Sequence, residues 1–385
     1  MELIGKGRVA RRTYGFEEIA LVPAAATVDP EDVDISWQVA GRTFPLPIIA
    51  SAMDSVVDVP FAIALSRLGG MAVLNLEGIQ TRYERPREAL DRLAEAPPER
   101  IVSVMQEVYR EPIKDALVGR RIQEIRSGGG VPVVSTTPAQ ASRLGPLAAE
   151  AGAEILLVQS TVITEQHRSE RGRALSLREL AARTPIPIMA GNCVSYDAAL
   201  GLFDAGCAAV FVGVGPGAAC TSRKVLGVGV PQATAIADVA AARAEHARRT
   251  GRYIPIVADG GITVGGEIAK AIACGADAVM LGSLLARAEE APGGGFHWGM
   301  ATPHAALPRG TRVTVGVTGT LRDILFGPAR VDDGSQNLVE ALRTAMGMCG
   351  ARTIRQMQQA EVIIAPALAT EGKTMQFSQR VGQGR

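Results

Sequence analysis

The stretch DAGCAAVF (204–211) joins the end of a helical segment to a short apolar run. EAGAEIL (150–156) and ACGADAVM (273–280) repeat this design, with a glycine that ends a helix and a strand that begins two or three residues later. Glycine at this position is typical of a left-handed helix C-cap. Three copies of one helix-to-strand junction predict a chain built from repeated helix–strand units.

Eight short apolar runs lie along the chain, most of them separated by Ala-, Leu- and Arg-rich segments of helical period. The runs are continuously apolar, which is typical of parallel strands buried on both faces. Eight such units predict an α/β protein, a (β/α)₈ TIM barrel. A doubly wound sheet is the alternative, and the count of eight and the lack of an early G-x-G-x-x-G disfavour it. The runs are LPIIA (46–50), MAVLNL (71–76), VPVVS (131–135), EILLVQ (154–159), IPIMA (186–190), AVFVG (209–213), IPIVA (254–258) and AVMLG (278–282).

The spacing of the runs predicts one catalytic domain over residues 1–385, with an N-terminal extension before the first run. A short insert of solvated helices, closed by a glycine run, is expected at 77–130, after the second strand. A Gly- and Pro-rich stretch predicts a mobile flap at 291–320. A polar tail is expected at 371–385.

The composition excludes several classes of protein. Lys and Arg number 40 against 39 Asp and Glu, so no global positive field favours nucleic acid or an anionic membrane surface. The five cysteines are scattered without CxxC spacing, which argues against a disulfide framework and a zinc site. No apolar run is long enough for a signal peptide or a membrane span, so a soluble protein in the cytoplasm is expected.

The loops after the last two strands contain candidate ligands for a phosphorylated molecule. In such barrels the functional residues gather at the carboxyl ends of the strands, and the loops after strands 7 and 8 often bind phosphate. Gly260, Gly261, Gly282 and Ser283 offer bare backbone and one hydroxyl there. Asp259, just before the glycines, could accept hydrogen bonds from a ribose diol.

The loop after strand 6, GVGPGAACTSRK (213–224), is here termed the cysteine loop. It places Cys220 in a glycine-rich segment, whereas the other four cysteines lie in apolar patterns and are expected to be buried. A thiolate in such a loop could act as a nucleophile, activated by backbone dipoles and by Arg223 or Lys224.

Several longer motifs stand out along the chain: TYGFEEIALVPA (13–24), PIIASAMDSV (47–56), GVGPGAACTSRKVLGVGVPQ (213–232), IAKAIACGADAVMLGSLLARAEEAPG (268–293) and WGM (298–300). Together they resemble the IMP dehydrogenase/GMP reductase family over most of residues 13–330. The insert is too short for the paired cystathionine-β-synthase-type modules that many dehydrogenases carry, so the chain resembles the module-less "IMP dehydrogenase-related" branch.

The resemblance implies a purine nucleoside monophosphate at the barrel mouth and a nicotinamide cofactor. It makes Cys220 the nucleophile that attacks purine C2, and it matches Ser222 to the family's catalytic Thr. Candidates for the general base are His304, Arg309 and Arg312 in the flap. The implied ligands of the substrate are Ser51, Met53, Asp259, Gly261, Gly282, Ser283 and Met300, and those on the cofactor side are Asn192, Gln159, Gly213 and Gly215.

Two further properties follow from the resemblance alone. Backbone carbonyls of Gly215, Gly217 and Cys220 match a loop that binds a monovalent cation, with K⁺ as the candidate ion. Glu371 and Gly372 resemble the contribution of a neighbouring chain to that site. Barrels of this family usually form tetramers, so a homo-tetramer is expected.

Departures from the family pattern accompany these matches. The phosphate-binding Ser of the family is Ala218 here, and the Asp after strand 4 is Gln159. A basic position before the cysteine loop is Phe211. The Arg-Tyr dyad of the dehydrogenase flap has no counterpart, and residues 292–320 contain no Asp, Glu, Asn or Gln.

Three hypotheses remain open from the sequence. The first is oxidation of IMP to XMP with NAD⁺ and water through a Cys220 thioimidate, in guanine nucleotide biosynthesis. The second is reduction of GMP to IMP and ammonia with NADPH, towards which TLRDIL (320–325) leans. The third is a purine-nucleotide-binding regulator without turnover, which the changes at Ala218 and Gln159 motivate.

Overall fold

The computed structural model describes residues 2–170, 174–299 and 312–382. Its strands are β1 (Glu2–Gly5), β2 (Arg8–Ala10), β3 (Ile19–Leu21), β4 (Trp37–Val39), β5 (Arg42–Phe44), β6 (Ile48–Ala50), β7 (Met71–Asn75), β8 (Val133–Thr136), β9 (Ile155–Gln159), β10 (Ile188–Cys193), β11 (Ala209–Val212), β12 (Ile256–Asp259), β13 (Ala278–Leu281), β14 (Phe296–His297), β15 (Val313–Thr314) and β16 (Val362–Ile364).

The α-helices surround these strands. They are α1 (Val59–Arg67), α2 (Pro86–Glu95), α3 (Ile101–Val108), α4 (Asp115–Ser127), α5 (Ala141–Glu150), α6 (Leu177–Arg183), α7 (Tyr196–Asp204), α8 (Ser222–Leu226), α9 (Gln232–Thr250), α10 (Gly265–Ala273), α11 (Leu321–Phe326), α12 (Leu338–Met348), α13 (Ile354–Met357) and α14 (Thr374–Gln379). Within the described ranges, no helix is long and apolar enough to cross a membrane.

Strands β6 to β13 pair in parallel and close into an eight-stranded barrel, with β13 hydrogen-bonded to β6. This confirms the predicted (β/α)₈ fold, and all eight apolar runs supply its strands. Along β6, Ile49 lies in the cluster that fills the barrel, and Ile48 packs against the surrounding helices. Burial on both faces explains why the strands read as unbroken apolar runs.

The glycines of the repeated junction end helices as predicted. Gly152, Gly206 and Gly275 have φ values of +94°, +90° and +119°, just after α5, α7 and α10. Residues with a Cβ rarely adopt this left-handed backbone, so glycine suits the turn into the next strand.

One helix of the predicted insert belongs to the barrel. Helix α4 packs between α1 and α5 and buries Leu117, Val118, Ile122 and Ile125. The prediction of solvated helices over the whole of 77–130 is therefore wrong for this helix. The chain that departs from the barrel layer is residues 77–114, with α2 and α3.

Helices α2 and α3 form a second hydrophobic cluster with the start of the flap. Leu90, Leu93, Met105 and Val108 are buried there against Trp298. We call this unit the insert platform (residues 86–109). At the opposite end of the barrel, the β4–β5 hairpin covers the interior and belongs to the same buried cluster as the inward-facing strand residues. The carboxyl ends of the strands are left open.

Candidate functional site

A cavity of about 1990 Å³ opens at the carboxyl ends of the barrel strands. The loops after the strands form its wall, together with the insert platform and the start of the flap. Fourteen of the candidate residues line this one cavity: Ser51, Met53, Gln159, Asn192, Gly213, Gly215, Gly217, Cys220, Ser222, Asp259, Gly260, Gly261, Gly282 and Ser283.

Asp259, at the end of β12, is held by two side-chain amides. Its Oδ2 accepts hydrogen bonds from Asn192 Nδ2 at 2.7 Å and from Gln159 Nε2 at 2.9 Å. The two amides also bond to each other, Gln159 Nε2 to Asn192 Oδ1 at 3.1 Å. The arrangement fixes the carboxylate in one orientation before any ligand arrives.

Burial raises the pKa of Asp259 to about 6, and the bonds from Asn192 and Gln159 oppose that rise. The backbone beside it is fixed as well, because Gln232 Nε2 donates to the Asp259 carbonyl at 3.2 Å. At neutral pH the group is an ionised acceptor at the edge of the cavity, which suits a ribose diol.

Cys220 is exposed, whereas Cys193 and Cys207 are buried and Cys274 and Cys349 are partly covered. Burial raises the pKa of both Cys193 and Cys207 to about 12, which makes those two thiols inert at neutral pH. Cys220 Sγ lies 3.3 Å from Ser222 Oγ. The accessible thiol and its neighbouring hydroxyl face the cavity.

Arg223 holds the cysteine loop together through backbone carbonyls. Its Nε donates to Val214 O at 3.3 Å and its Nη2 to Val230 O at 2.8 Å. A Cβ at Gly215 or Gly229 would lie 2.5 or 2.7 Å from Arg223 Cγ, so the two glycines make room for this side chain. These contacts give Arg223 a structural role in the loop, and activation of the thiolate by Arg223 or Lys224 stays a prediction.

The loops that follow the barrel strands β13 and β6 meet at the predicted phosphate ligands. A Cβ on Gly282 would lie 3.2 Å from Met53 Sδ and 3.5 Å from Ser51 Oγ. On the next strand, Gly261 has a φ of +77° and packs against Pro216 of the cysteine loop. Bare backbone at Gly282 and Gly261 therefore allows the close approach of the loop after the first barrel strand and of the cysteine loop.

The sequence reasoning missed His297, which is 2 % exposed and lines the cavity. Its Nε2 lies 3.0 Å from Ser283 Oγ. Burial lowers the pKa of His297. The signal available in the sequence was its place beside the WGM motif, yet fourteen residues separate it from Ser283.

The start of the flap is fastened to the insert platform through polar contacts. Trp298 Nε1 donates to Tyr109 Oη at 2.8 Å, and Tyr109 Oη donates to Asp54 Oδ2 at 2.8 Å. Burial raises the pKa of Asp54 to about 6. Tyr109 also lines the cavity, which no sequence pattern indicated.

The four flap candidates have different outcomes. Met300, His304 and Arg309 lie outside the described residues. Arg312 is described and lies outside the cavity lining: its Nη1 donates to Leu93 O at 2.6 Å and to Ala94 O at 3.0 Å. Its guanidinium stacks over Phe296, 4.6 Å from the ring centroid. These contacts suit an anchoring role for Arg312 at the end of α2, and its assignment as the base stays a prediction.

The positions that depart from the family pattern have physical explanations. Phe211 is fully buried inside the barrel, where an apolar side chain packs and a cation would be desolvated. Gln159 joins the hydrogen-bond network of Asp259. Ala218 lies on the cavity wall without a hydroxyl.

The predicted cation loop forms a tight turn. Gly215 has a φ of +80°, and Gly217 O accepts a hydrogen bond from the Cys220 amide at 2.9 Å. The described residues contain no group of His, Cys, Asp and Glu that could hold a metal ion. Glu371 and Gly372 lie on the exposed surface before α14.

Comparison with known proteins places this geometry among relatives. An uncharacterized oxidoreductase of Mycobacterium leprae is 40% identical over 371 residues, which cover 94% of this chain and 99% of that protein. An inosine-5'-monophosphate dehydrogenase of Methanocaldococcus jannaschii is 28% identical, covering 93% and 94% of the two chains. The crystal structure of an IMP dehydrogenase/GMP reductase-like protein from Corynebacterium glutamicum superposes with a TM-score of 0.88 at 35% identity, covering 94% and 96%.

The family model described as "IMP dehydrogenase / GMP reductase domain" matches residues 13–374. Its match spans the barrel, the cysteine loop and the start of the flap. The chain belongs to the IMP dehydrogenase/GMP reductase family of oxidoreductases.

Proposed function

We propose that the protein oxidises IMP to XMP with NAD⁺ and water, in guanine nucleotide biosynthesis. The observation that carries the proposal is the accessible Cys220 thiol in the same cavity as Asp259 and Ser283. One mononucleotide could then bind its ribose at Asp259 and its phosphate at Gly261, Gly282 and Ser283. That placement would bring the base towards the cysteine loop.

The cavity has room for a second nucleotide. Sites for one small ligand measure about 300–1,000 Å³, and this cavity is about 1990 Å³. Its lining continues past Gln159 to Ser160 and Thr161, and to Thr137 and Gln140 after β8. These polar residues, with Asn192, Gly213 and Gly215, would hold NAD⁺, which serves as the hydride acceptor when bound.

The chain's own residues account for the covalent steps. The Cys220 thiolate adds to C2 of IMP, and the C2 hydrogen leaves as a hydride, which gives a thioimidate on Cys220. Water then adds to C2 and the thiol leaves, which releases XMP. Ser222 Oγ, 3.3 Å from the sulfur, can pass a proton to or from that water. A general base is needed to take a proton from the attacking water. His304 and Arg309 remain the flap candidates for that role.

The decisive experiment is an assay of NADH formation from IMP and NAD⁺, with and without K⁺ and over a range of pH. Wild-type protein should form NADH and XMP in equal amounts, and Cys220→Ser should form neither. Mass spectrometry of a reaction stopped during turnover should find the adduct on Cys220. No NADH under any of these conditions would refute the proposal.

The same assay separates the other two candidates. Consumption of NADPH that depends on GMP and releases ammonia would identify a reductase. Tight binding of IMP or GMP without turnover in either direction would identify a nucleotide-binding regulator.

The remaining expectations join the proposal as separate tests. We propose a homo-tetramer, which light scattering would detect as about four times the 40.2 kDa chain. Exposed apolar side chains beside the cysteine loop, Val225, Leu226 and Val228, suit such an interface. A cytoplasmic location is tested by fractionation of the source cells.

A further inference from the structure

His297 is a buried titratable group that the proposed reaction does not use. It lies on β14, it is 2 % exposed, and its Nε2 is 3.0 Å from Ser283 Oγ. Its other ring nitrogen, Nδ1, is buried and has no hydrogen-bond partner among the described residues. A neutral imidazole carries its proton on one of these two nitrogens.

The environment selects the tautomer. A proton on Nδ1 would be buried without an acceptor, which is costly. A proton on Nε2 has Ser283 Oγ as its acceptor at hydrogen-bond distance. The neutral Nε2–H form is therefore favoured, and Ser283 Oγ then accepts from the ring and keeps its own O–H for another acceptor.

The backbone that carries His297 is fixed on both sides. Trp298, the next residue, donates from its backbone N–H to Ser55 Oγ at 3.4 Å and from Nε1 to Tyr109 Oη at 2.8 Å. His297 itself pairs with Val313 across the β14–β15 ladder. These contacts fix the backbone on both sides of His297, and the buried ring bonds to Ser283 from there.

Charged groups near β14 are committed to other partners or to solvent. Arg287 Nη1 bonds to Ser335 at 3.0 Å, and Glu290 accepts from the Leu321 amide at 2.7 Å. Arg312 is bonded to carbonyls at the end of α2, Asp54 to Tyr109, and Glu289 is exposed. Desolvation accounts for the lowered pKa of His297.

We propose that His297 is the positioning residue of the phosphate subsite: its neutral Nε2–H donates to Ser283 Oγ and thereby turns the Ser283 hydroxyl proton towards a phosphomonoester. The proposal rests on the proposed function only in placing a phosphomonoester at Ser283. His297 acts through Ser283 and not as a cation. It offsets part of the loss of the family's hydroxyl at Ala218.

The test is calorimetric binding of IMP, ribose 5-phosphate and inosine to the full chain without NAD⁺. Gln places an amide nitrogen where Nε2 lies, and Asn is too short, so the two variants separate positioning from packing. His297→Asn should weaken IMP and ribose 5-phosphate about tenfold, the effect of one hydrogen bond to a charged group, and leave inosine unchanged. His297→Gln should bind IMP and ribose 5-phosphate with affinities within about threefold of wild type.

A double-mutant cycle with Ser283→Ala gives the coupling. In the Ser283→Ala background, His297→Asn should weaken IMP binding less than about twofold, because the hydroxyl that His297 positions is gone. At about pH 7.5, binding of IMP in two buffers of different ionisation enthalpy should show no proton uptake, since His297 stays neutral. Thermal unfolding of each variant checks that the fold is intact.

Three results would overturn the proposal. The first is that His297→Asn weakens IMP binding about tenfold even in the Ser283→Ala background. The second is that a folded His297→Gln binds IMP as weakly as His297→Asn does. The third is that wild type takes up one proton when IMP binds and that His297→Asn does not. If wild type binds neither phosphate compound, the proposal also fails. Coupled binding in a protein that forms no NADH would uphold His297's role and refute the proposed dehydrogenase.

Discussion

Replacement of Asp259 by Asn should make the protein more stable and less able to bind nucleotide. Asp259 Oδ2 accepts both amide bonds, from Asn192 and Gln159. An Asn at this position can keep an oxygen there and turn its NH₂ group to the cavity. The variant thus preserves the network and removes the buried charge, together with the acceptor that a ribose diol needs.

The magnitude follows from the raised pKa. The shift of the Asp259 pKa from 3.8 to about 6 corresponds to a cost of about 3 kcal/mol for the ionised form. Asp259 is partly exposed to the open mouth of the cavity, so water there reduces this to about 2 kcal/mol. Asn should recover that amount in the free energy of unfolding at neutral pH.

Because the pKa of Asp259 is raised in the folded protein, the stability gain of Asp259→Asn depends on pH. The folded protein holds the Asp259 proton between the unfolded pKa of 3.8 and the folded value of about 6. The cost of ionisation therefore develops as the pH rises through this window and is complete above it. The stability gain of Asp259→Asn should be a third to a half smaller at about pH 5 than at about pH 7.5.

Urea unfolding followed by circular dichroism at these two pH values measures the effect. Asp54, whose pKa is also raised to about 6, is present in both proteins and cancels in the difference. The exposed Asp29 supplies a matched control, Asp29→Asn, which should show no such pH-dependent gain. Calorimetry should show IMP binding at least about tenfold weaker in Asp259→Asn. A variant less stable than wild type at about pH 7.5, or an equal gain at both pH values, would refute the reasoning.

Substitutions at three further positions test structural roles. Asp277→Asn leaves the buried Arg243, 2.7 Å away, without its carboxylate partner. Calorimetry should therefore show a free energy of unfolding lower by about 3 kcal/mol and an unfolding midpoint lower by about 4 °C. A decrease below about 1 kcal/mol would contradict this. Arg223→Met and Arg223→Lys should both accelerate hydrogen exchange in the cysteine loop, because neither restores both carbonyl bonds, whereas Lys224→Met should not; equal effects at the two positions would point to charge instead. Arg312→Met should lower stability by about 1–2 kcal/mol in urea unfolding with turnover largely kept; lost turnover at unchanged stability would restore its assignment as the base.

The sequence predicts the barrel well because local rules and burial agree along its strands. Each run, such as AVMLG (278–282), is buried on both faces, and each junction, such as that at Gly275, needs a left-handed residue. The clustering of Cys220, Asp259 and Ser283 then follows from topology, since all three come after parallel strands.

Helix α4 shows why a charge pattern can mislead. Its Arg121 is only 7 % exposed although it is charged. The guanidinium donates to the backbone carbonyls of Gln80, Tyr83 and Glu84 at 3.0 to 3.2 Å, which satisfies the buried charge. Arg121 also pairs with Glu124 at 2.9 Å, one turn further along the helix, as a solvated arginine often does. The local sequence therefore does not reveal its burial, because the three carbonyl acceptors lie about forty residues away in the chain.

The role of His297 depends on contacts that cross the fold, and this limits how the site can vary. Tyr109 on the insert platform bonds to Trp298, Trp298 holds its neighbour His297, and His297 bonds to Ser283. The insert platform is thus connected to the proposed phosphate subsite through the start of the flap. Substituting His297 alone with another residue would leave Tyr109 and Trp298 aligned for a ring that is gone. The segment FHW (296–298) and the platform should therefore change together, because each is built to hold the other.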